Sequence, residues 1–243
     1  MTNDLACEQS LLEPFLPYFY DVPSPCPYDV GGCALYRQAQ FGHLGDEQMA
    51  AFLAHGMRRN GNTLYIMACP DCSSCTPIRL PVADFAPNRN QRRVLRANED
   101  VDISLAPLTM TEEKFSLLAR FFAHRYPLAH NEPESYYGTF FSNSITATME
   151  VEYRLAGELF GVAVVDVGTS FLNAVYFYFE QELARRSPGT FNILTLIDLC
   201  GRQGISHLYL GYLIKELSAM RYKGNFWPHE LMVNGRWQRR DRG

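Results

Sequence analysis

MEVEYRL at 149–155, LFGVAVVDV at 159–167 and LNAVYFY at 172–178 are three strand-like runs separated by turns at Gly157 and Gly168-Thr-Ser170. The first alternates polar with apolar residues, as a half-buried strand does. The second is almost wholly apolar, as in a strand covered on both faces. RRSPGT at 185–190 follows, where Pro188 suits the first turn of a helix and Ser187 stands at the cap position. A helix then runs from Phe191 to about Arg202, ends at Gly204, and leads into a short strand at His207–Gly211. The order β-β-β-loop-α-β makes the class α+β, with a mixed, mostly antiparallel sheet flanked by helices.

Upstream, residues 111–126 read as a helix capped by Thr111, with Phe115, Leu118, Phe121 and Phe122 at helical spacing. Asn60-Gly61 predicts a hairpin over 58–67, Asp46 caps a predicted helix over 46–57, and 76–82 reads as a strand. Gln91–Asn98 reads as helical. Five prolines between Pro14 and Pro27 break any long helix in residues 1–35, which are expected to be irregular, and 127–149 reads as loop with a short helix. The expected organisation is an N-terminal cysteine-containing α/β region over 1–100 and a mixed-sheet domain over 101–243.

The composition, 47% apolar and 20% charged, is that of a globular protein and favours neither disorder nor a fibrous fold. A net charge of −4 argues against sequence-blind coating of nucleic acid but leaves room for a local basic patch. No apolar run reaches the roughly 18 residues of a membrane span, and the N-terminus lacks the order of a signal peptide. The expectation is a cytoplasmic protein without membrane partners, whose seven cysteines are reduced thiols.

Cys69, Cys72 and Cys75 form a C-x-x-C-x-x-C run. Thiolates three residues apart can turn toward one point and suit zinc or an iron–sulfur cluster, which spacing alone does not separate. Such sites take four ligands, so Cys26 is the first choice for the fourth and Cys33 the second. Free thiols packed in a loop are the alternative. Cys7 and Cys200 read as bystanders, the latter on the apolar face of its helix.

Arg92, Arg93 and Arg96 could grip phosphates, which gives salt-dependent affinity without reading sequence; a solvated helix face is the alternative. Arg185, Arg186, Ser187, Gly189 and Thr190 stand where the unpaired amides of a helix start favour an anion. A strand–loop–helix of this kind resembles the acyl-donor site of the GNAT acetyltransferase fold, although the glycine-rich loop of that fold is absent. Tyr176, Tyr178, Tyr209 and Tyr212 lie on or beside neighbouring strands, where a phenol can donate to a developing oxyanion. No G-x-S-x-G, H-E-x-x-H or Walker motif occurs.

Taken in order, these pieces resemble the bacterial leucyl-tRNA–protein transferases (aspartate/glutamate leucyltransferases), relatives of the eukaryotic arginyl-tRNA–protein transferases. The segments that carry the resemblance begin with Cys26-Pro-Tyr28, the Cys69–Cys75 run with Thr76-Pro-Ile-Arg79, and Asn90-Gln-Arg-Arg-x-x-Arg-x-Asn98. Ala174-Val-Tyr176-x-Tyr178, Ala184-Arg-Arg-Ser-x-Gly-Thr190 and Tyr209-Leu-Gly-Tyr212 follow. Met220-x-Tyr-Lys223, Phe226-x-Pro-x-Glu230 and Gly235-Arg-Trp237 complete them. Three places depart from the family pattern and bear on the acyl pocket. Phe179-Glu-Gln181 replaces an Asp-Pro, Pro188 an aliphatic residue, and Leu213 a tryptophan. Cys33 has no family counterpart, which favours Cys26 as the fourth thiolate.

The resemblance implies a GNAT-like core that moves leucine from leucyl-tRNA to the α-amine of proteins beginning with Asp or Glu, which marks them for degradation. The donor ester is already activated and about a tenth of an N-terminal amine is unprotonated at neutral pH. Direct attack without an acyl-enzyme is therefore expected, with no cofactor required for the chemistry. Tyr178 or Tyr212 would stabilise the oxyanion, and Lys223 would pair with the acidic side chain of the acceptor. Other functions compatible with the residues are arginyl transfer, acyl-CoA-dependent N-acylation, a zinc-knot RNA-binding module and an iron–sulfur sensor.

Overall fold

The computed structural model describes residues 11–127 and 131–242. Cys7 and His130 lie outside them. Two sheets and four main helices make up the fold.

The small sheet is formed by β1 (Tyr20–Pro25), β2 (Cys33–Gln40), β3 (Arg58–Asn60) and β4 (Thr63–Met67), in the order β1-β2-β4-β3. The β3–β4 hairpin turns at Gly61, as Asn60-Gly61 predicts. β1 and β2 fall in and just after the stretch expected to be irregular. Its prolines are tolerated because β1 is an edge strand.

The large sheet has eight strands: β5 (Thr76–Pro81), β6 (Val101–Pro107), β7 (Thr148–Leu155), β8 (Glu158–Val167), β9 (Phe171–Phe179), β10 (His207–Leu213), β11 (His229–Val233) and β12 (Arg236–Arg240). Their order is β12-β11-β5-β10-β9-β8-β7-β6. β9 and β10 are parallel and the remaining pairs antiparallel. β6 and the β11–β12 hairpin were not expected from the sequence. β5 comes from the first hundred residues yet sits between β10 and β11, so a boundary near residue 100 does not separate the sheets.

β8 is buried on both faces, as its apolar run predicts. Ala163 and Val165 pack in the cluster of α4 (Pro188–Gln203) with Leu196, Cys200 and Leu208. Val162 and Val164 pack in that of α3 (Glu112–Arg125) with Leu117, Leu118, Phe121 and Phe122. Cys200 is fully buried, the bystander expected of it. Thr111 caps α3 through Lys114 N. A third cluster joins α1 (Asp46–Ala54) to the small sheet through Met49, Phe52 and Leu64. Gly45, not Asp46, stands at the cap of α1. The Asp46 carboxylate instead accepts from Thr169 N and Oγ1, tying α1 to the β8–β9 turn.

The sheets are docked by a buried ion pair. Arg59 of β3 donates to Asp166 of β8 at 2.8–3.1 Å, with both side chains fully inaccessible. Thr148 and Asn173 also donate to Asp166, while Arg59 donates further to the carbonyls of Gly61, Phe140 and Phe141. A buried pair survives desolvation only when its remaining donors and acceptors are satisfied this fully.

Candidate active site

The parallel pairing of β9 with β10 covers His207–Tyr209 against Phe171–Asn173 and goes no further. Beyond it β9 carries an extra residue, Val175, against β8, and β10 an extra residue, Leu210, against β5. Bulges of this kind bend strands and end pairing. The two strands separate, and the backbone of Ala174 is left facing a gap.

Arg58 fills part of that gap. Its Nη2 donates to Ala174 O at 3.2 Å, and its guanidinium carbon lies 5.9 Å from the centre of the Tyr212 ring. Gly211 makes room for it: a Cβ there would lie 1.8 Å from Arg58 Nη1, and the backbone φ of +82° is one that glycine tolerates. Arg58 Nε and Nη1 are buried without a hydrogen-bond partner. The sequence offered no sign of Arg58, because only the docking of Arg59 onto Asp166 turns its neighbour toward the gap.

Tyr212 borders the same gap. Its hydroxyl accepts from Met67 N at 3.2 Å, which leaves its own proton unclaimed, and its ring is 6.4 Å from that of Tyr65. Burial holds the phenol well above its ordinary range, so it stays protonated. Lys223 donates to Tyr212 O at 3.1 Å. Burial, and then the charge of Arg58, lower the Lys223 amine to about 7.

Tyr178 is not part of this group. It is fully buried, stacked on Phe141 at 6.2 Å with its hydroxyl unpaired, in the aromatic core beneath α3. It packs in the cluster of α3, with Glu150 and Glu152 and not Arg58 as its charged neighbours, so the oxyanion role expected of it is not supported. Tyr176 packs against the same core, half-buried and ringed by Tyr136, Phe121 and Phe141 at 5.2–6.2 Å.

The start of α4 opens beside Lys223. Ser187 adopts a left-handed conformation and its side chain caps nothing. Gly189 packs against Tyr222, the residue before Lys223; a Cβ there would lie 3.3 Å from the Tyr222 hydroxyl. Arg185 and Ser187 are exposed and Thr190 is half-buried. Arg186 is committed elsewhere, to Asp100 at 2.7 and 2.9 Å and to Ala97 O.

The arginine helix α2 (Arg89–Ala97) is fastened to this mouth at both ends. Asn98 Nδ2 donates to Arg186 O at 3.0 Å and Gln91 Nε2 to Asn225 O at 3.3 Å. Asn88 and Gln91 close a capping box that begins the helix two residues earlier than expected. Gln91 and Asn98 face inward, while Arg92, Arg93 and Arg96 are exposed.

Cys26, Cys33, Cys69, Cys72 and Cys75 line one recess of about 290 Å³, together with Met67 and Met232. Burial opposes ionisation of Cys26, yet backbone N–H groups of Tyr28, Val30, Gly31 and Asp29 outweigh it and hold the thiol below its ordinary value. Leu35 N donates to Cys69 Sγ at 3.4 Å. Burial, then Cys69, Cys26 and Cys72, push Cys75 up to about 12. Cys33 is exposed and its Sγ donates only to Ala34 O. Soft donors on one recess, two of them receiving amide hydrogen bonds, suit a thiophilic metal. Among the described residues, no three of His, Cys, Asp or Glu are drawn together as a ligand set.

No helix among the described residues is long and apolar enough to cross a membrane. The profile described as Arginine-tRNA-protein transferase, N terminus, matches residues 24–93, and its C-terminus counterpart matches 113–233. An aspartate/glutamate leucyltransferase of Marinobacter nauticus is 37% identical over 227 residues, 92% of this chain and 95% of that protein. One of Methylobacillus flagellatus is 39% identical over 185 residues, 75% of each chain. The crystal structure of FemX aligns at a TM-score of 0.45 with 8% identity, over 84% of this chain and 82% of that one, a likeness too distant to carry an argument. By its relatives and its matched profiles, the chain belongs to the aspartate/glutamate leucyltransferase family.

Proposed function

We propose that this chain transfers leucine from leucyl-tRNA to the α-amine of proteins beginning with Asp or Glu, a mark for their degradation. The observation that carries the reading is the gap between β9 and β10, bordered by Tyr212 and Lys223 and set beside an open helix start with arginines flanking it. Strands that part before a helix start also support describing the core as GNAT-like.

Arg92, Arg93 and Arg96 take the acceptor stem. Arg185 and the Ser187, Gly189 and Thr190 backbone take the terminal phosphates, and Arg186 holds α2 in place through Asp100. The acceptor amine attacks the ester carbonyl, Tyr212 donates to the oxyanion, and the C–O bond to the ribose breaks. The ribose oxygen takes the proton that the amine loses. Alignment of amine and ester is worth up to roughly 7–11 kcal/mol in well-oriented systems, so no covalent enzyme intermediate is needed.

Cys26, Cys69, Cys72 and Cys75 would hold zinc or an iron–sulfur cluster. When bound, the metal would cross-link the β1–β2 loop to the loop before β5. Metal analysis of anaerobically purified protein tests the site. Cys69→Ser and Cys72→Ser should lose bound metal and Cys200→Ser should keep it; equal content in all three would remove the site.

The function is tested by offering radiolabelled leucyl-, arginyl- and phenylalanyl-tRNA with peptides beginning Asp, Glu, Arg or Ala. Leucine should move to the acidic starts. Preferred transfer of arginine would reassign the donor, and transfer from acyl-CoA alone would end the reading.

A further inference from the structure

Buried cations in this fold come with carboxylates. Arg59 has Asp166, Lys114 has Glu150 and Glu152, and the half-buried Arg79 has Glu230. Arg58 and Lys223, both half-buried, break the pattern. Arg58 has a backbone carbonyl and an aromatic face, and Lys223 has a backbone carbonyl. Neither makes an ion pair among the described residues, and two guanidinium nitrogens of Arg58 are buried with no acceptor. An inward charge left uncompensated is costly unless a ligand completes it.

We propose that Arg58 reads the acidic side chain of the acceptor's first residue, with Lys223 as the second donor. The inference rests on the leucyl-transfer function proposed above and assigns the acceptor specificity of that site. The enclosure favours a side-chain carboxylate over an RNA phosphate. Tyr28, Tyr65 and Tyr212 stand near Arg58, whereas the exposed arginines lie outside on α2 and before α4. A planar guanidinium matches a carboxylate in a two-point fashion that an ammonium does not. Gly211 is the backbone counterpart of this arrangement, since any larger residue would occupy the space of Nη1.

The experiment compares kcat/KM for peptides beginning Asp, Glu, Asn and Gln, with leucyl-tRNA as donor, in the wild type, Arg58→Met and Arg58→Lys. The wild-type preference for Asp over Asn should fall about 10- to 100-fold in Arg58→Met, as expected for losing hydrogen bonds to a charged group. Arg58→Lys should restore part of it. The KM for leucyl-tRNA should not move. Equal loss on Asp and Asn starts would overturn the assignment, as would a raised KM for leucyl-tRNA, which would give Arg58 to the RNA end. Should Arg58→Met not fold, Arg58→Lys decides: it keeps the charge and loses the planar fork, so an unchanged Asp-to-Asn ratio overturns the proposal. A wild type that transfers leucine to no acceptor would instead sink the functional reading itself.

Discussion

Arg58 donates a 3.2 Å hydrogen bond to the carbonyl of Ala174, the first residue of β9 beyond its pairing with β10. A strand that leaves its partner exposes backbone groups that need new partners. Here the partner is a side chain from the other sheet, so the opening of the large sheet and the docking of the small one are one event. Gly211 is where the two meet. Gly211→Ala combines a left-handed conformation with a Cβ 1.8 Å from Arg58 Nη1. The variant should lose about 2–4 kcal/mol, from backbone strain plus crowding. Chemical denaturation measures it; a loss below about 0.5 kcal/mol would show that Arg58 moves aside freely.

Asp166 should be the more damaging site. Its removal leaves Arg59 buried without its counter-charge and orphans donors from Thr148 and Asn173. Asp166→Ala is expected to cost about 3–5 kcal/mol. Urea unfolding of the variant checks it, and a change under 1 kcal/mol would mean the sheets do not depend on this pair.

Tyr212 and Tyr178 were equivalent candidates in the sequence, and the structure separates them by their neighbours: both are buried, but Tyr212 lies beside Arg58 and Lys223 and Tyr178 in the aromatic core beneath α3. Tyr212→Phe keeps the ring under Arg58 and loses only the hydroxyl, the acceptor for Met67 N and the free proton at the gap. A fall in kcat of about 100-fold with little change in either KM is expected for loss of an oxyanion donor. Tyr178→Phe should change kcat by less than about threefold. Similar effects from both would return the oxyanion to the backbone amides.

Arg92 and Arg93 face solvent on a helix whose ends are tied to the mouth. Replacing both by Ala should weaken leucyl-tRNA binding and flatten the logarithmic dependence of affinity on salt by roughly 1 to 2. Arg186→Ala should act differently. Its charge is spent on Asp100, so α2 should loosen while the salt slope stays close to that of the wild type. Filter-binding titrations across salt concentration distinguish the two.

These contrasts show how far the residues alone could go. The runs of β7 to β10, the helix between β9 and β10, and the cap of α3 are local signals, readable from period and cap chemistry. The insertion of β5 between β10 and β11, and the hairpin formed by the tail, are pairings between distant segments that no local pattern encodes. The site followed the same division. Arg92, Arg93 and Arg96 were readable as a basic run, Arg185 and Arg186 as charge at a helix start, Lys223 only through the family resemblance, and the five cysteines of the recess as ligand chemistry. Arg58 was invisible because its role depends on a neighbour docking across 107 residues. Tyr178 misled because strand alternation gives the face of a side chain and not what covers that face.

Lys223 gives the site a pH response that can be separated from that of the substrate. Its amine is lowered from the ordinary 10.5 to about 7 by burial and then by Arg58, so the folded chain releases this proton before the unfolded chain does. Between about 7 and 10.5 the unfolded chain binds more protons, and stability contributed through this residue rises with pH across that window. Carboxylate recognition runs the other way, since Lys223 attracts an acidic side chain only while protonated. The acceptor α-amine also titrates near 8, but it does so equally in Asp- and Asn-starting peptides. The ratio of their kcat/KM values cancels that shared effect. The ratio should fall as pH rises through about 7 toward a plateau maintained by Arg58. In Lys223→Met the ratio should be lower at pH 6 and flat to pH 9. A wild-type ratio that is itself flat across this range would remove Lys223 from acceptor recognition and leave Arg58 to act alone.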